Sequence, residues 1–184
     1  MRPRAGLTPS FSIVAVVGLA LVASCASPAP SRTISPSAAH GCPVTSAVGP
    51  DAVPPPVAAF AIGSMILPPG MTPPPLRTMY GNAALWVDLG TTDGTLVGSA
   101  DANERLGAKF PTYRLATGPL TISAHRLDGP SDGVATSVPE GYGPTGFQAV
   151  GVDFPSIGCW SITETVAGHD LTFVVDVVST SSPT

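Results

Sequence analysis

The stretch CWSITETVAGHDLTFVVDVVS, residues 159–179, alternates apolar and polar side chains on both sides of a short turn. One face of its second half is wholly apolar and holds Leu171, Phe173, Val175 and Val177. In its first half, Trp160 and Ile162 share a face. A period of two residues is typical of half-buried strands, and VAGHD reads as a turn. The stretch therefore predicts a β-hairpin that closes a β-sandwich.

Six segments upstream have the same character, since they are short, β-prone and separated by turn signals such as TTDGT and LDGPSDG. They are residues 84–89, 95–100, 108–115, 119–127, 133–139 and 146–154. Strands at about ten-residue spacing are typical of a sandwich or barrel and not of βαβ units. We therefore predict an all-β domain over residues 83–184.

The segment 41–82 is rich in proline, with prolines clustered at 54–56, 68–69 and 73–75. Proline lacks a backbone N–H and fixes φ, so no regular ladder can run through these points. Between the first two clusters, VAAFAIGSMIL (57–67) is apolar enough to pack on the body of the domain. The sequence leaves open whether this stretch is one strand or a short helix.

The N-terminus has the pattern of a secretory signal peptide. Arg2 and Arg4 precede an apolar run at 11–23, which is roughly 20 Å long as a helix and too short to cross a bilayer core comfortably. Val22-Ala23-Ser24-Cys25 resembles a bacterial lipobox. The resemblance implies that residues 1–24 are removed and that Cys25 is lipidated, with palmitate among the acyl chains. An ordinary secretory signal with an incidental cysteine is the alternative.

Residues 25–40 are dominated by proline, serine and alanine, a composition typical of an extended or disordered spacer. Without residues 1–24, the chain has six basic and twelve acidic residues. An acidic chain without a basic cluster is not expected to bind nucleic acid. We expect an extracytoplasmic protein held at the cell membrane or envelope by its N-terminal lipid.

Two cysteines remain for the domain, Cys42 and Cys159. A pair of cysteines in an oxidising compartment is usually joined, and no CxxC spacing indicates a metal site. We therefore predict a disulfide, which stabilises the domain by roughly 4 to 5 kcal/mol in the chain-entropy model.

The stretch GYGPTGFQAVGVDFPSIGCWSITETVAGHDLTFVVDVV, with YGNAALWVDL and ISAHRLDGP upstream, resembles a group of bacterial secreted proteins and lipoproteins. Their shared pattern includes GALWV, RLD, GYG..GFQ, FP..GCW and a final L-x-F-x-V strand. The resemblance covers about residues 80–178 and is most specific at 154–155 and 158–160. It implies an immunoglobulin-like β-sandwich outside the cytoplasm, but no activity, because none is established for the group. The proline-rich segment 50–76 is longer here than in that pattern.

Two motifs invite a cofactor or metal assignment. Residues 141–146, GYGPTG, fit G-x-G-x-x-G, but Pro144 lies inside the motif and a predicted strand follows it instead of a helix. The stretch LDGPSDG (127–133) approaches a calcium loop, although a turn stabilised by aspartate is the simpler interpretation. His40, His125 and His169 lack metal-ligand spacing. We predict no cofactor, no metal site and no catalytic residue.

Aromatic residues suggest one further site. A sugar-binding face could be formed by Trp86, Tyr113, Tyr142 and Phe147, although strand alternation would place some of them in the core. The sequence favours a non-catalytic binding or structural module, whose ligand would be a glycan or protein of the envelope. The alternative is an envelope hydrolase with dispersed catalytic residues.

Overall fold

The computed structural model describes residues 34–36, 41–100 and 105–179, which belong to one compact unit. Its elements are β1 (Ile34–Pro36), β2 (Pro43–Thr45), a 3-10 turn (Pro50–Ala52), α1 (Pro55–Ser64), β3 (Met79–Gly81), β4 (Leu85–Asp88), β5 (Thr95–Ala100), β6 (Leu106–Arg114), β7 (Leu120–Arg126), β8 (Ala135–Ser137), β9 (Gly146–Phe154), β10 (Gly158–Val166) and β11 (His169–Ser179). The predicted all-β class is confirmed, because strands dominate this part of the chain.

Strands β5 to β11 form two sheets. One sheet has the order β5-β6-β9-β8 and the other has the order β7-β10-β11-β5. Strand β5 joins both, because its first part pairs in parallel with β11 and its last two residues pair with β6. This is the A-B-E-D and C-F-G arrangement of an immunoglobulin sandwich. The predicted immunoglobulin-like sandwich is therefore confirmed.

The change of sheet within β5 occurs beside Gly98. A Cβ atom at this position would meet the Cβ of Leu106 at 2.8 Å, so the close approach of β5 and β6 requires glycine. The closing hairpin is also confirmed, since the whole of β10 pairs with residues 169–177 of β11 around Ala167 and Gly168.

The core lies between the two sheets. The inward face of β11 is fully buried, as its alternation predicts, and Trp160 and Ile162 of β10 lie beside it. The Phe110 and Phe173 rings meet edge to face across the sandwich with their centroids 5.3 Å apart. Aromatic contacts of this kind add to the hydrophobic gain from burial.

The proline-rich segment packs on the sandwich. The stretch whose structure the sequence left open, residues 57–67, lies mostly in α1 and does not form a strand. The helix begins at Pro55, where a proline at the first helical position needs no hydrogen-bond partner. Val57 and Ala61 are buried in a cluster with Trp86 and Tyr113, on the outer side of β4 and β6. The β3–β4 hairpin extends the first sheet, because β4 pairs with β6 beside β5.

The Cys42–Cys159 disulfide is confirmed, with the two Cα atoms 5.4 Å apart. It ties the segment before β2 to the start of β10, and Thr45 Oγ1 accepts a hydrogen bond of 2.8 Å from the Val174 N–H of β11. Strand β1 pairs with β2. Residues 34–36 are therefore paired with the domain, although the sequence predicted a spacer through residue 40.

Candidate functional site

Polar side chains interrupt the apolar interior at one end of the sandwich. Alternation points Phe110, Thr112 and Arg114 of β6 inward, and Gln148 of β9 points inward opposite Thr112. Arg114 is 4% exposed and Gln148 is 6% exposed. Both residues lie where β6 ends and β9 begins.

A cleft of about 350 Å³ opens beside these two residues. It lies between the loop that follows β6 and the loop that joins β8 to β9. Its polar lining consists of Arg114, Gln148, Glu140 and the hydroxyl-bearing Tyr142, while prolines and aliphatic side chains form the rest of its walls.

Arg114 holds the two loops together. Its Nη1 donates to the Gly118 carbonyl at 2.9 Å, and its Nη2 donates to the Gly143 carbonyl. Its Nε is buried without a hydrogen-bond partner, and the guanidinium forms no salt bridge, among the described residues. Burial lowers the pKa of the guanidinium, because desolvation penalises the charged form. The site therefore contains a positive charge that no carboxylate neutralises in this part of the chain.

Gln148 is also held by a loop carbonyl, but its unpaired atom is an acceptor and not a donor. Its Nε2 donates to the Pro139 carbonyl at 2.9 Å, whereas its buried Oε1 finds no donor in the described part of the chain. A buried polar atom without a partner costs about 1 to 3 kcal/mol. Two residues that line the cleft thus each contain a buried polar atom without a partner in the described part of the chain, a donor in Arg114 and an acceptor in Gln148.

The four aromatic residues singled out in the sequence do not form one exposed face. Trp86 and Tyr113 are buried beneath α1, and the Tyr113 and Phe147 ring centroids are 5.8 Å apart. Tyr142 contacts Phe147 edge to face at 5.6 Å and remains 38% exposed. Of the four, Tyr142 lines the cleft, so a sugar-binding surface made of all four residues is ruled out by packing.

A buried carboxyl lies farther inside the sandwich. Glu164 of β10 is fully buried, and Thr112 Oγ1 lies 2.9 and 3.0 Å from its two carboxyl oxygens. Burial raises the pKa of Glu164 to about 8, although the hydrogen bond from Thr112 acts in the opposite direction. This carboxyl is therefore mostly protonated at neutral pH.

The LDGPSDG loop lies at the other end of the sandwich, beside the disulfide. Asp128 accepts a hydrogen bond of 2.6 Å from Arg126 Nε and one of 3.2 Å from the Cys159 N–H. The Arg126 hydrogen bond, followed by that from Cys159, lowers the pKa of Asp128. These contacts give Asp128 a structural role in holding this loop.

The structure does not bring the remaining residues considered in the sequence together into one site. His125 and His169 are exposed, while His40 and the predicted lipidation site Cys25 lie outside the described residues. Within the described ranges, no group of three or more His, Cys, Asp or Glu residues could hold a metal ion. The GYGPTG motif forms a loop that leads into β9, and its last glycine is the first residue of that strand, so a strand and not a helix follows as predicted.

Sequence reasoning missed Arg114, Gln148 and Glu164. The sequence does contain a signal for these residues. Each falls at an inward position of a strand whose other inward residues are mostly apolar. A polar residue at a core position is a stronger indication of function than an exposed one.

The fold and the cleft define an immunoglobulin-type sandwich with a small polar site at one end. No protein-family model matches the chain, and no curated protein matches it. A solved structure, the crystal structure of the S-layer protein SbsC domains 4 and 5, is similar at 21% identity with a TM-score of 0.35. The match covers 46% of this chain and 41% of that chain. At this TM-score the likeness carries no argument about function.

None of the helices in the described ranges is long and apolar enough to span a membrane.

Proposed function

We propose that this protein is a lipid-anchored, non-catalytic binding module of the cell envelope, and that it binds its ligand in the cleft beside Arg114 and Gln148. The observation that carries the proposal is that these two side chains line the cleft and each has a buried polar atom without a partner among the described residues. Pockets that bind small molecules orient the ligand with a few fixed polar groups, and this cleft provides such groups in a lining that is more polar than apolar.

Binding fits these groups better than catalysis does. The Arg114 guanidinium stays protonated at physiological pH and is held by two loop carbonyls, so it is suited to orienting a ligand and not to transferring a proton. Gln148 has no proton to exchange and is held in the same way. A rigid, pre-organised site lowers the entropy cost of binding.

The geometry of the domain suits an N-terminal anchor. Strand β1 at Ile34–Pro36 already pairs with β2, and Cys42 is bonded to Cys159 at the start of β10. The cleft lies near the other end of β10, because its lining residue Leu120 pairs with Val166. Seven residue steps along a strand span roughly 23 Å. The disulfide and the cleft thus lie at opposite ends of β10, so a tether before residue 34 can leave the cleft uncovered.

Mass spectrometry of the protein from membranes tests the anchor. We expect a mature chain that begins at a diacylglyceryl-modified Cys25, and we expect Cys25→Ala to abolish both the added lipid mass and the membrane fractionation. An unlipidated mature chain that starts elsewhere would overturn the anchoring part of the proposal.

Retention on purified insoluble cell envelope tests the binding part. The detergent-solubilised full-length protein should be retained, and Gln148→Leu and Tyr142→Ala should each lower retention at least fivefold. Asp132→Asn, an exposed substitution in the loop near the disulfide, is the matched control. Unfolding midpoints for every variant show whether the fold is intact. Equal retention of folded cleft variants and wild type would refute binding at the cleft.

A further inference from the structure

We infer that the ligand of this cleft is an acidic sugar of the uronate type, recognised as one or two residues through its carboxylate and hydroxyl groups. The inference rests on the proposed function, because it names the ligand class of the same site. It follows from the charge, the unpaired hydrogen-bonding atoms and the shape of the cleft.

The charge favours a carboxylate. Arg114 is almost completely buried and forms no salt bridge in the described ranges, and a buried charge is costly unless it is paired. Two of its five N–H groups are given to loop carbonyls, and the other three make no hydrogen bond to a described residue. Arginine pairs with carboxylates through short, charge-assisted hydrogen bonds. An incoming carboxylate would supply both the missing charge and the missing acceptors.

The acceptors favour a ligand that also carries hydroxyl groups. Gln148 Oε1 needs a donor, and the Glu140 carboxylate at the cleft rim accepts hydrogen bonds as well. A simple carboxylate cannot satisfy either atom. A uronate has ring hydroxyls that can donate to both while its carboxylate faces Arg114.

The walls fit a sugar ring. Tyr142 is partly exposed at the rim, and Pro119 and Pro139 provide rigid apolar surface around it. The volume of about 350 Å³ lies at the small end of the range for ligand pockets, which suits one or two rings. The cleft also opens at an end of the domain, so a longer polysaccharide could continue past it.

Titration calorimetry on the full-length detergent-solubilised protein tests this inference with a matched pair of probes. Trigalacturonate carries the carboxylates, and its methyl ester is a neutral analogue of the same shape. We expect the acid to bind at least tenfold more tightly than the ester. Affinity for the acid should also fall as salt is added, because salt screens the charge. Equal affinity for acid and ester would overturn the inference.

Glu140→Gln provides a sharper variant, because this exposed residue is not needed for packing. Removing a carboxylate near the bound uronate should tighten binding of the acid by about threefold, from the Coulomb energy of two charges about 7 Å apart in water. Affinity for the ester should not rise, because the ester carries no charge that Glu140 could repel. Asp132→Asn is the control and should alter neither. An unchanged affinity of Glu140→Gln for the acid would contradict the assigned position of the carboxylate.

Failure of the inference can be distinguished from failure of the proposed function. If neither probe binds but envelope retention still depends on Gln148 and Tyr142, the uronate assignment is wrong and the cleft remains a binding site. If retention does not depend on the cleft, both the proposed function and the uronate assignment fail.

Discussion

Replacement of Glu164 by glutamine should remove a pH dependence of stability that the buried carboxyl creates. Glu164 has no exposed surface and its pKa is raised to about 8 in the fold, against 4.5 as the ordinary value. The native state therefore binds this proton more tightly than the unfolded chain does. The resulting stability is fully present below pH 4.5 and is lost as the pH rises toward 8.

The magnitude follows from the two pKa values. Each pH unit within this window changes the free energy of unfolding by up to about 1.4 kcal/mol for one proton. Between pH 5 and pH 8 the wild-type protein should lose roughly 3 to 4 kcal/mol through this group. Glu164→Gln keeps an oxygen that can accept from Thr112 and has no proton to lose. The variant should match wild type near pH 5 and exceed it by this amount at pH 8.

Urea unfolding at pH 5, 6, 7 and 8, followed by tryptophan fluorescence with the disulfide intact, measures the effect. Glu140→Gln is the control, since it removes an exposed carboxyl from the same domain. Contributions from the histidines are shared by all three proteins and cancel in the comparison. If wild type and Glu164→Gln lose stability in parallel from pH 5 to pH 8, the assignment of a protonated, buried Glu164 is refuted.

Three further predictions concern the stability of the domain. Reduction of the Cys42–Cys159 bond should lower the free energy of unfolding by roughly 4 to 5 kcal/mol, and a urea midpoint insensitive to reductant would contradict this. Phe173→Ala should cost about 3 to 5 kcal/mol, whereas exposed Thr121→Ala should cost no more than about 0.5 kcal/mol; similar losses in urea unfolding would disprove the assigned core. Asn82→Ala deletes two hydrogen bonds within the β3–β4 turn and one from this turn to the Asp170 carbonyl of β11, and it should cost about 1 to 3 kcal/mol, so an unchanged thermal midpoint would argue against that role.

The sandwich was predictable because its strands alternate strongly and its turns carry glycine and aspartate. Residues 146–154 were expected as a strand and form β9 with the same bounds. The helix at Pro55–Ser64 was not decided by the sequence, because it is apolar on nearly every face and shows no helical period. Strand β3 was missed, since three residues are too few to show alternation.

The cleft was not predictable from local sequence. Its two main polar residues, Arg114 and Gln148, are 34 positions apart and meet because β6 and β9 pair in one register. The sequence instead suggested an aromatic binding face, yet Trp86 and Tyr113 are core residues because α1 covers them. Long-range pairing decided which side chains met, and residue type alone did not.

The polar residues inside the sandwich form a connected line and not isolated substitutions. Glu164 meets Thr112 between the sheets, Thr112 lies opposite Gln148 in the strand register, and Gln148 borders the cleft with Arg114. Replacing buried polar groups with well-packed apolar ones is often neutral or stabilising, so stability does not explain this line. The proposed ligand would satisfy Arg114 and Gln148, which form the outer half of this line. Glu164, held protonated and bonded to Thr112, allows the line to continue into the core without a buried negative charge.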